Sequence, residues 1–227
     1  MTMPFYVPPE QLVKDRADFA RKGVSRGRPI VVMRIEAGIV LLGENSSPSL
    51  RKIGEVYDRI AFAGVGRFNE FETLRIAGVR YADLKGFSYA RADVTGKGLA
   101  NAYSQTLGQI FSNEIKPYEV EVVVAELGTD VDLDRIYRIQ FDGTLREASN
   151  IAVLGSSEDE IFELVDESLQ DNTSLAEAIA LACDSIESVQ EVEIPAAEWE
   201  TGFLDRSARR RVFRRLTTDE IAAARES

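Results

Sequence analysis

The second residue of MTMPFYVPPEQLVKDRADFARKG is a threonine. A small residue there lets the initiator methionine be removed, and a free N-terminal threonine is a nucleophile with its own amine as base. The other candidate nucleophile, Cys183, lies on an apolar helical face in SLAEAIALACDSIESV, where a packed core thiol is expected. Histidine does not occur, which removes Ser-His-Asp and Cys-His catalysis and histidine-based metal sites. No GxxxxGKS or GxxxxGKT loop is present, and no GxGxxG follows a strand-like run. Threonine, lysine and carboxylate chemistry remain. The basic run Arg209, Arg210, Arg211, Arg214, Arg215 in RRRVFRRL is broken by Val212, Phe213 and Leu216. It reads as a solvated or edge strand in preference to a phosphate-binding patch.

The elements that must position these residues follow from pattern. Pro4, Pro8 and Pro9 keep the start extended. Pro9 suits a first helical turn, Glu10 favours its positive end, and the spacing of Leu12, Val13, Ala17 and Ala20 predicts a helix over 9–23, stopped by Gly23. PIVVMRIEAG and IVLLGEN read as a hairpin about Ala37-Gly38, and KIGEVYD with RIAFAGVG as a second about Asp58. Two long helices are expected over FNEFETLRIAGVRYADL and KGLANAYSQTLGQIFSNE. EVEVVVAEL, RIYRIQF and NIAVLG read as strands, with Asp142-Gly143 turning between the last two. Ser157 with Glu160, and Ser174 with Glu177, form capping-box patterns opening two more helices. Strands near EWETGFL and RRRVFRRL follow, and 217–227 reads as a polar tail.

Blocks of strands alternating with blocks of helices indicate an α+β fold, with antiparallel sheets covered by helix pairs. Helix pairs on both outer faces make a four-layer αββα sandwich with an extra N-terminal helix. The 227 residues, 44% hydrophobic and 29% charged, fit one large soluble domain. One cysteine excludes an internal disulfide framework, so a reducing, cytoplasmic setting is expected. The net charge of −11 argues against wrapping nucleic acid, and no apolar run is long enough to span a bilayer.

SLRKIGEVYDRIAFAGVGRFNEFETLR, residues 49–75, resembles the proteasome core-particle family. KPYEVEVVVAEL and FDGTLREASNIAVLG resemble its middle strands. PPEQLVKDRADFARKG and DVTGKGLANAYSQTLGQIF are similar to the α subunits of actinobacterial 20S proteasomes in particular. The resemblance implies the Ntn-hydrolase-like αββα sandwich. It also implies a choice between catalytic β subunits, whose mature threonine begins the first strand, and α subunits, which keep an N-terminal helix instead. Here Thr2 lies about 28 residues before the first strand, with a helix between. A hydroxyl so placed cannot reach a cleft between the sheets. Arg28-Pro29 stands where the family's threonine would be, the catalytic lysine falls at about Pro48, and Glu44 stands near the aspartate's place without a partner.

What the resemblance implies is therefore a non-catalytic subunit of a threonine peptidase complex. It would form a homo-heptameric ring, stack on β subunits, and pass unfolded proteins to be cut elsewhere. Thr2, Met3, Pro4, Phe5, Tyr6, Val7 and Pro8 would form a gate at the ring axis. Lys52 would pair with the C-terminal carboxylate of a ring-shaped AAA ATPase activator. Gly64 and Gly66 would leave room for the peptide backbone, and Arg26 would add positive charge. No cofactor or metal is called for, and no nucleic acid or membrane partner. Two alternatives stay open: an active N-terminal-threonine amidohydrolase of the same fold, and an unrelated α+β binding protein. The Y-D-R segment that archaeal and eukaryotic α subunits carry near the N-terminus is here only Tyr57-Asp58-Arg59, in the second hairpin.

Overall fold

A computed structural model describes residues 8–47 and 49–226. The gate residues Thr2, Met3, Pro4, Phe5, Tyr6 and Val7, and also Pro48, lie outside the described residues.

Pro8, extended at φ −57° and ψ 142°, leads into helix α1 (Pro9–Val24) with a proline in its first turn and Glu10 near its positive end. The helix runs one residue past the expected end. Gly23 does not stop it; a Cβ at Gly23 would fall on the Glu119 side chain, so the glycine serves close approach. Strands β1 (Ile30–Ile35) and β2 (Gly38–Glu44) form the first hairpin, and β3 (Ile53–Tyr57) and β4 (Ile60–Gly66) the second. Helices α2 (Phe68–Ser88) and α3 (Gly96–Asn113) follow. Next come β5 (Val120–Glu126), β6 (Arg135–Ile139), β7 (Leu145–Ala148) and β8 (Ile151–Leu154). Helices α4 (Glu158–Ser168) and α5 (Leu175–Gln190), strands β9 (Trp199–Asp205) and β10 (Phe213–Arg215), and helix α6 (Thr218–Arg225) complete the chain.

The strands form two antiparallel five-stranded sheets, in the orders β10-β9-β2-β1-β8 and β3-β4-β5-β6-β7. Side-chain alternation separates the layers. Along β5, Val123 and Ala125 face a core between the sheets, whereas Val122 and Val124 face α2 and α3. Along β1, Val32 faces the inter-sheet core, and Val31 and Met33 face α4 and α5. Both faces are covered, so these strands carry continuous apolar runs. The result is the expected four-layer αββα sandwich. Helix α1 lies outside the two helix pairs and puts Ala20 and Val24 on the inter-sheet core.

Four expectations change. The Asp142-Gly143 turn joins β6 to β7, not to β8; Gly143 supplies the positive φ of +86° there, and β8 crosses to pair with β1 in the other sheet. β7 has exposed Arg146 and Glu147 at its centre, so it lacks the buried alternation that marks a strand. Ser157 does not cap α4: its backbone is left-handed at φ +51° and its side chain makes no capping bond, unlike Ser174, whose capping box forms. The segment read as a polar tail contains α6, opened by a Thr217–Glu220 capping box and held by buried Ile221 and Ala224. β10 is an edge strand, as RRRVFRRL suggested. Cys183 is buried among the α5 contacts, and burial pushes its thiol pKa up to about 12.

Candidate functional site

Lys52 stands immediately before β3, and its surroundings are built by residues far apart in sequence. Glu200 on β9 is almost fully buried. Its carboxylate accepts from the Lys52 backbone N–H at 3.0 Å, from Asn45 Nδ2 at 2.6 Å and from an Arg215 guanidinium nitrogen at 2.6 Å. That carboxylate therefore ties the end of β2 and the start of β3 to β9 and β10. A buried carboxylate with this many donors holds its neighbours firmly.

The Lys52 side chain lies over the end of β2, where Nζ donates to the Glu44 carbonyl oxygen at 3.0 Å. The Glu44 carboxylate pairs with Arg28, just before β1. Glu44 thus has an ion-pair partner in Arg28, which is neither the lysine nor the threonine of a catalytic set. Burial, and then the Arg28 charge, lower the Lys52 pKa to about 8, with Glu200 opposing them. Such a lysine is half-buried, partly dehydrated and readily repaid by an incoming anion.

The other predicted residues gather at the same end of the sandwich. Gly64 donates its N–H to the Lys52 carbonyl at 3.1 Å. Gly66 ends the same strand, and a Cβ on Gly27 would come within 3.1 Å of the Gly66 nitrogen, which places Arg26 beside it. Arg26 is exposed and makes no ion pair among the described residues. Both glycines also have internal reasons. A Cβ at Gly64 would meet the Phe71 ring at 2.9 Å, and Gly66, at φ +101°, lies against the Glu119 carbonyl. Pro8 is exposed at the start of α1.

The start of β1 is tightly packed. Arg28-Pro29 leads directly into a fully buried Ile30, and Gly43 packs so closely there that a Cβ would fall 2.8 Å from Ile30 Cγ1. The Arg28–Glu44 pair was not legible in the sequence, because 16 residues and a hairpin separate the partners. Glu200 was missed likewise, being 148 residues from the Lys52 backbone it holds.

Two apolar surfaces are left without cover among the described residues. Leu12, Val13 and Phe19 are exposed on α1, and Leu84, Phe87 and Tyr89 around the end of α2, with Phe87 at 90% exposure. Side chains of this size left in water mark places where another protein surface belongs.

The family model described as Proteasome subunit matches residues 24–199. A protein named Proteasome subunit alpha from Arthrobacter sp. (strain FB24) is 52% identical, covering 98% of this chain and 97% of its own length. Proteins of the same name from Thermomonospora curvata and Thermobifida fusca are 50% and 48% identical, covering 97% and 98% of this chain and 96% and 90% of their own lengths.

Proposed function

The chain belongs to the proteasome subunit family, and from that premise we propose that it is a non-catalytic α subunit of a 20S core particle. It assembles the end ring, gates substrate entry and docks an activator, while β subunits cut the substrate. The observation that carries this reading is the start of β1. Arg28 and Pro29 occupy the place a threonine nucleophile needs, with Arg28 held by Glu44 and α1 standing ahead of them. A nucleophile must share its cleft with base and oxyanion donors.

Docking rests on Lys52. Its ammonium is under-solvated and feels the positive charge of the exposed Arg28, so the terminal carboxylate of an ATPase tail gains a charge-assisted contact there. The exposed faces of α1 and α2 supply surface for neighbouring α copies and for the β ring. No helix among the described residues is long and apolar enough to cross a membrane.

The test is peptide hydrolysis by the purified chain alone and after mixing with a candidate β subunit, with particle mass recorded in both. No activity alone, and activity with a multi-subunit mass only after mixing, is the expected result. Turnover by the chain alone that Thr2→Ala abolishes would overturn the reading in favour of an N-terminal-threonine amidohydrolase.

A further inference from the structure

The end of the sandwich opposite Lys52 holds a second cluster. β3 runs away from Lys52 to the turn at Asp58-Arg59, where β4 starts back. That turn, the loop after β5 and the loop between β9 and β10 line an open pocket of about 430 Å³. Arg59, Arg91, Arg206, Arg209 and Arg210 line it, against Asp58 as the one lining carboxylate. This local excess of positive charge stands in a chain of net charge −11.

The ion pairs show which of these charges are already neutralised. Arg206 is committed to the buried Asp134 at 2.6 Å and to the Gly128 carbonyl at 3.1 Å. Arg91 holds Asp58 in a two-point contact. The neighbouring run is also spoken for: Arg211 pairs with Glu55, Arg214 with Glu220 and Arg215 with Glu200. Arg209 and Arg210 are exposed and make no ion pair among the described residues. Arg59 gives one N–H to the Gly128 carbonyl, while its Nε is buried without an acceptor. The unneutralised charge that faces the pocket is therefore that of Arg209 and Arg210, and a concave site lined by cations without internal counter-charges suits an anionic occupant.

We propose that this pocket binds a phosphate-chain anion, of the kind carried by inorganic tripolyphosphate or a nucleoside triphosphate. Arg209 and Arg210, without ion-pair partners among the described residues, line the pocket from the β9–β10 loop, and Arg59, held to the Gly128 carbonyl, lines it from the turn before β4. One carboxylate supplies a single negative charge, whereas a phosphate chain supplies several and presents paired oxygens that fit the guanidinium fork. A concave wall of one sign also concentrates such ions locally. The inference is independent of the α-subunit reading, because it needs neither a ring nor an activator.

The experiment is calorimetric titration of the full chain with inorganic tripolyphosphate at low ionic strength, with ATP as a second arm. The double variant Arg209→Ala/Arg210→Ala is expected to weaken binding by about tenfold or more. The charge-matched variant Arg80→Ala/Arg146→Ala, on exposed arginines elsewhere, is expected to change it by less than about twofold. Asp58→Asn releases Arg91 and is expected to tighten binding. Equal affinities for the two probes identify the phosphate chain as what is read, and tighter ATP binding identifies a nucleotide source. No binding, equal losses from both double variants, or unchanged binding in Arg209→Ala/Arg210→Ala would each overturn the proposal.

Discussion

Lys52 owes its chemistry to its neighbours more than to its type. Burial and the Arg28 charge bring its pKa to about 8, so its charge changes within a testable range. Because the folded value lies below the ordinary lysine value, the protonated side chain weighs against folding below about pH 8, and that cost fades as pH rises toward about 10.5. Docking has the opposite trend, since it needs the ammonium. Affinity for a tail peptide ending in a free carboxylate is therefore expected to fall about tenfold from about pH 7 to about pH 9, as the protonated fraction falls. Lys52→Arg should flatten that profile, and Lys52→Ala should lower affinity throughout; peptide titrations across pH measure both. Gly66 gives the second prediction at this scale. Its φ of +101° and its contact with the Glu119 carbonyl leave no space for a methyl group. Gly66→Ala should cost more than about 2 kcal/mol in denaturant unfolding. Neither residue announces itself in the sequence: Lys52 is an ordinary lysine until the family resemblance singles it out, and the Glu44, Arg28 and Glu200 contacts depend on tertiary pairing.

Among the elements, legibility followed local chemistry. The start of α1 was readable from Pro9 and Glu10, and α5 from its Ser174–Glu177 box, because both signals act within one turn. What covers α1 was not readable: Leu12 and Val13 have helical spacing, yet the described residues leave them exposed. Spacing identifies a helix without saying which molecule covers it. β7 was lost because its centre is Arg146-Glu147, and the sheet pairing that makes it a strand comes from β6. Helix α6 did carry a signal, the Thr217–Glu220 box, obscured by polar surroundings. Thr217→Ala should cost about 1 kcal/mol by removing the hydroxyl that accepts from the Glu220 N–H. Urea unfolding curves would register it as a lower midpoint at unchanged slope.

At the scale of the whole molecule, the block order of strands and helices was enough to give four layers, because each sheet face has to be covered by something apolar. It could not place the β8 crossover, which depends on how the chain passes Asn150, where the Asn150 carbonyl accepts from the Arg34 N–H at 2.8 Å. The gate proposal also belongs here, since it has meaning only for an assembled ring. Removing residues 2–8 should speed small-peptide hydrolysis by a reconstituted α–β particle; unchanged rates would remove gating from the reading. Assembly can be followed in solution through the packing of Cys183. The native thiol is the chain's single cysteine, on the buried face of α5, where burial pushes its pKa up to about 12. A cysteine introduced at an exposed site such as Arg26 would therefore take a maleimide dye selectively, without first deleting a native thiol. The unaltered sequence is in that respect already a background for distance measurements between subunits.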